Sequence, residues 1–75
     1  MKESTRYPKI VEWSDEDQCY VVIAPEWTGT YTMPIAEGKT YRQAAERGEA
    51  ALEHMIDLTR REGKPLPTPV TFAAS

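Results

Sequence analysis

Seventy-five residues leave room for one domain, and a chain this short buries only about 60 to 65% of the surface that its unfolded form exposes, so a second copy or a partner would supply core it lacks. Twelve acidic against nine basic residues give a net charge of −3, which repels phosphate, argues against direct nucleic-acid binding and favours a basic protein partner. The single cysteine, Cys19, excludes an internal disulfide or a cysteine-built zinc site, and with a polar start at Met1–Arg6 and no apolar run near ~20 residues the chain is expected to be cytoplasmic and free of membrane.

In chain order, residues 1–6 read as a frayed terminus. Tyr7–Trp13 carries Tyr, Ile, Val and Trp and predicts a first strand, with Pro8 at its start. Ser14, Asp15, Glu16 and Asp17 are turn residues, and Gln18–Ala24 resumes as a second strand, so the two form a hairpin. Pro25 stops the pairing and Glu26–Gly29 loops. Thr30–Ile35 alternates Tyr31, Met33 and Ile35 with polar residues and Pro34, the pattern of a third strand weakened or placed at an edge by the proline. Ala36–Lys39 is a short loop around Gly38.

The stretch from Thr40 to Gly63 predicts one long helix. Thr40 caps its start, with Gln43 three residues on to return the bond. Tyr41, Ala44, Ala45, Gly48, Ala51, Leu52, Met55, Ile56 and Thr59 make an apolar stripe, and Arg42, Glu46, Glu49, Glu53, Asp57 and Arg60 fall opposite. Arg60, Arg61, Gly63 and Pro65 close it. At ~1.5 Å per residue it outruns a seven-residue strand of ~23 Å, so its last turns should overhang the sheet. Lys64–Pro69 alternates proline as an extended connector, and Val70–Ala73 offers a short fourth strand. The class is α+β: a small antiparallel sheet of three to four strands with one long helix on one face.

Cys19, Val21 and Ile23 point to one side of the second strand and Tyr20, Val22 and Ala24 to the other, so both faces are apolar. One helix covers one face. The other is expected to meet another chain, as a homo-oligomer (dimer or tetramer) or a heteromeric complex.

Residues that could carry chemistry are few. His54, the only histidine, lies beside the stripe with no Ser or Cys nucleophile next to it, and reads as a helix-edge side chain. Glu12, Asp15 and Asp17 lack the fixed glycine of a calcium loop and read as turn polarity. Gly38 to Thr40 lacks the lysine of a phosphate loop. Gly48 interrupts the stripe, which suggests close approach of helix and sheet. Cys19, with no basic neighbour in its strand, reads as an inert thiol. Trp27 either plugs the core or stands out as an interface anchor, and Trp13, at a strand end, reads as core. No catalytic residue, cofactor or metal site is expected.

Taken in order, Tyr7-Pro8, the acidic turn Ser14–Asp17, the Tyr20-Val21-Val22 strand, Pro25-Glu26-x-x-Gly29, Gly38-x-Thr40 opening a helix with Ala44-Ala45, and Gly63-Lys64-Pro65-Leu66-Pro67-x-Pro69 resemble the HicB-like antitoxin family of type II toxin–antitoxin systems. The likeness runs from about Tyr7 to Phe72. It implies a β-β-β-α-β arrangement, a partial ribonuclease H-like fold without nuclease activity, and self-association. It also implies a HicA-type partner, a small basic ribonuclease that cuts messenger RNA. The DNA-binding segment that relatives often append is expected to be missing. On this reading Asp15, Asp17 and Glu26, with Tyr20, Val22 and Trp27, mask the partner's RNA-binding or catalytic surface. The rival is a stand-alone oligomeric scaffold or small-ligand-binding domain of the same fold. A ribonuclease is disfavoured, since metal-dependent cleavage needs converging carboxylates and the strands offer only Glu12.

Overall fold

Ile10–Ser14 (β1) and Cys19–Ile23 (β2) pair antiparallel in register Ile10↔Ile23 through Ser14↔Cys19, and Ala36–Gly38 (β3) adds to the far edge of β2. Tyr41–Arg61 (α1) follows, giving the order β-β-β-α in a computed structural model that describes residues 6–68. The fourth strand expected at Val70–Ala73 lies outside the described residues.

Local chemistry fixes the hairpin turn. The Asp17 backbone N–H donates to Ser14 Oγ at 3.3 Å, and Gln18 Nε2 donates to the Asp15 carbonyl at 2.6 Å. Gln18 takes the left-handed conformation that reverses the chain, φ 53°.

The third strand is displaced from its predicted position. Pro34 has no N–H to give a ladder, so contact with β2 starts just after it: the Ile35 amide donates to the Val22 carbonyl at 2.9 Å and the paired residues run from Ala36, in what sequence alone suggests is a loop. Residues 30–34 instead run irregularly against the core. The Thr30 and Tyr31 amides both donate to the Trp27 carbonyl, at 3.0 and 2.9 Å, and Tyr31, Met33 and Ile35 pack on the core. Their alternation records one-sided burial of an irregular segment.

The helix ends where the sequence places its signals. Thr40 Oγ1 accepts from the Gln43 amide at 3.0 Å, while Gln43 Oε1 accepts from the Lys39 amide at 2.7 Å, one residue outside the usual reciprocal box. At the other end the Lys64 amide reaches the Thr59 carbonyl and the Gly63 amide the Arg60 carbonyl, each at 3.0 Å, with Gly63 at φ 70°. This is the paired closure that a left-handed glycine permits.

Two glycines set how closely helix and sheet approach. A Cβ on Gly38 would lie 2.4 Å from the Ala44 backbone nitrogen, and one on Gly48 would lie 2.6 Å from Val22 Cγ1. The helix therefore rests on the Tyr20–Val22–Ala24 side of β2. With 21 residues α1 spans roughly 31 Å, and its C-terminal half overhangs the five-residue strands as expected. The core fills the space beneath that overhang: Tyr7, Ala24 and Trp27 meet Leu52, Met55 and Ile56, with Leu66 of the connector beside them. Tyr7, predicted as strand, leaves the sheet to join this core, and its hydroxyl donates to the Pro67 carbonyl at 2.6 Å.

Candidate protein-binding surface

The sequence-derived contact residues separate into surface and interior. Asp15 and Asp17 are exposed at the hairpin tip, and Tyr20 and Glu26 are half-buried. Val22 and Trp27 are fully buried. Their expected place on a partner-facing surface is corrected by what covers them: α1 closes over Val22 through Gly48, and Tyr7 and Tyr31 pack their rings on Trp27 at centroid distances of 5.4 and 5.7 Å. The sheet side carrying Tyr20, Val22 and Ala24 is thus the covered one. The side with Ile10, Glu12, Val21 and Ile23 has no helix on it among the described residues.

The two tryptophans exchange their expected roles. Trp27 plugs the core, and Trp13 is 48% exposed. Trp13 faces the helix side of the sheet, but α1 lies mainly over β3 and β2 and touches β1 least, so this edge stays open. There Trp13 packs edge-on against Tyr20 at 5.2 Å, and Tyr20 against Tyr41 at 6.0 Å. Tyr41, the first residue of α1, is 59% exposed. Neither Trp13 nor Tyr41 was singled out for this surface by the sequence; the available signal is that each begins or ends an element beside charged residues.

This aromatic edge is joined to the acidic tip. The Trp13 indole N–H donates to Asp15 Oδ1 at 2.8 Å, and Ser14 Oγ donates to Asp17 Oδ2 at 3.1 Å. Rings and carboxylates are thereby held side by side, an arrangement suited to a guanidinium or ammonium: the ring face attracts the cation and the carboxylate pairs with it. Nearby cations are partly committed. Arg42 pairs with Glu46 at 3.8 Å, and Arg47 donates to the Glu37 carbonyl at 3.1 Å.

On the opposite side of the sheet Cys19 is half-buried, with its Sγ 3.9 Å from Glu37 Oε2. Desolvation first, then the charges of Glu37 and Asp17, push its thiol above the ordinary range, so it is poorly nucleophilic at neutral pH. His54 is exposed on α1. Among the described residues no three His, Cys, Asp or Glu side chains gather closely enough to hold a metal ion, and no helix is long and apolar enough to cross a membrane. No family model, curated protein or solved structure matches the chain.

Proposed function

We propose that this chain is a HicB-like antitoxin: a cytoplasmic, self-associating protein that binds a small basic HicA-type mRNA-cleaving toxin and masks its RNA-binding or catalytic surface. The ordered motifs from Tyr7 to Pro69 and the acidic balance of the chain support this reading. The observation that carries it furthest is the Trp13–Asp15 hydrogen bond, which presents an open aromatic ring and a carboxylate together. A surface built to grip RNA displays Arg and Lys for phosphates, and Asp15 and Asp17 offer those cations an alternative anion. Trp13, Tyr20 and Tyr41 add ring faces, each cation contact contributing about 0.5–1 kcal/mol at an exposed site and ~2 once water is excluded. Long-range attraction between the acidic tip and a basic partner would speed encounter and weaken with salt.

Co-expression with a small basic open reading frame adjacent to its gene tests the reading, and the absence of any such frame counts against it. The pair should co-purify, and the chain should relieve the partner's growth arrest. Trp13→Ala combined with Asp15→Asn should weaken the complex by about tenfold or more. Absence of a complex, or growth arrest unrelieved by a well-folded chain, contradicts it.

A further inference from the structure

Paired residues of an antiparallel ladder project to the same side, so the side of the sheet away from α1 can be read row by row. Ile10 stands beside Ile23, then Glu12, Val21 and Glu37 form a row across all three strands, then Ser14 stands beside Cys19. The open apolar surface on this side belongs to Ile10, 45% exposed, and half-buried Ile23, with the buried Val21 between the two glutamates beneath them. Glu12 and Glu37, both exposed, stand on the two outer strands, whose backbones lie about 9–10 Å apart at the ~4.8 Å strand spacing. Among the described residues neither Glu12 nor Glu37 forms an ion pair.

We propose that this side receives one amphipathic helix of another protein, its apolar stripe on Ile10, Val21 and Ile23 and its flanking Lys or Arg residues on Glu12 and Glu37. The inference rests on the reading above in taking the partner to be basic, and adds the element by which it docks. With its side chains an α-helix is about 10–12 Å wide, close to the span of the three strands, so a helix laid along β2 brings its two flanks down over the outer strands that carry Glu12 and Glu37. The product is a helix–sheet–helix sandwich, in which both apolar sides of β2 are covered. A second copy of this chain fits poorly. Two such faces stacked together would bring Glu12 and Glu37 against their own duplicates. The stripe of α1 is already in the core, and its outward Glu46 and Asp57 are paired with Arg42 and Arg61.

Two synthetic peptides test this, each about 18 residues so that it can form helix when docked. They share one Leu/Ile stripe and differ only in flanks, Lys/Arg in one and Glu in the other. Fluorescence anisotropy on the full chain should show the basic-flanked peptide binding about tenfold tighter or more, with salt weakening it. The preference should reverse in Glu12→Lys/Glu37→Lys and shrink in Glu12→Gln/Glu37→Gln, which guards against a charge-reversed chain that fails to fold. Amide shifts should centre on Ile10, Val21 and Ile23. Equal affinity for the two peptides, no binding of either, or shifts confined to Trp13, Tyr20 and Tyr41 overturns the docking mode. If a basic HicA-type partner then still co-purifies, the antitoxin reading survives without it. Peptide binding as described with no co-purifying partner supports the docking mode and sinks the antitoxin reading.

Discussion

Gly48→Ala puts the helix–sheet contact to a quantitative test. In an exposed helix interior this change stabilises by about 1 kcal/mol, because glycine loses more backbone freedom on folding. Here the new Cβ would lie 2.6 Å from Val22 Cγ1, 3.1 Å from Cγ2 and 3.2 Å from Cβ. Carbon atoms prefer ~3.5–4.0 Å, so relief requires α1 to lift by roughly 1 Å or Val22 to leave its rotamer. Val22 cannot yield easily, being β-branched, fully buried and on the central strand. Overpacking of this kind costs about 1–3 kcal/mol, which outweighs the propensity gain and leaves a net loss of about 1 kcal/mol. Thermal unfolding followed by circular dichroism should show Tm lower by about 4–8 °C. The same substitution in a Val22→Ala background should be neutral or stabilising, since the clashing methyls are gone, and the cycle should give a coupling of about 1–3 kcal/mol. A rise in Tm in both backgrounds would refute the close approach.

Thr40→Ala should destabilise by about 1 kcal/mol in urea titration and Thr40→Ser should restore most of it, because the hydroxyl accepts from the Gln43 amide. Trp27→Ala should lose about 3–5 kcal/mol and prevent stable folding, whereas the half-exposed Trp13→Ala should lose no more than ~1 kcal/mol; melting curves of the two variants separate the assignments. Alkylation of Cys19 should reach its half-maximal rate at a higher pH than that of a free cysteine, and Glu37→Gln should lower that pH. Since the folded chain holds this proton more tightly than the unfolded one, the associated stability is full below the ordinary thiol range. It declines as pH rises from the ordinary thiol range through the elevated value, which urea midpoints on the alkaline side would register.

Local signals carried the helix and the hairpin. Thr40, Gly63 and the stripe from Ala44 to Thr59 act within a few residues of themselves, so the sequence states them directly. Gly48 was readable for the same reason, as a weak helix former kept inside an apolar stripe. The third strand was not, because period-two alternation at Tyr31, Met33 and Ile35 records which side chains are buried and says nothing of whether the backbone pairs. Nor could the covered side of β2 be chosen from the sequence. Both sides are apolar, and the choice is made by Gly48 meeting Val22 across 26 positions of chain. The tryptophans follow from that choice. Trp27 is buried by distant residues, Tyr7 and Leu52 among them, and Trp13 is left open because α1 is offset toward β3. In the candidate surface, Asp15 and Asp17 were legible as an acidic turn, while the joining of that turn to Trp13, Tyr20 and Tyr41 depends on register and on where the helix begins.

The most direct measurement is a calorimetric titration of the purified chain with a small basic HicA-type protein, at low and at physiological salt. A saturable complex that loosens as salt rises, and loosens again in Trp13→Ala/Asp15→Asn, is the expected result. No heat of binding from a folded chain, or a complex indifferent to both salt and these substitutions, contradicts the proposal that acidic and aromatic side chains make this protein a mask for a basic surface.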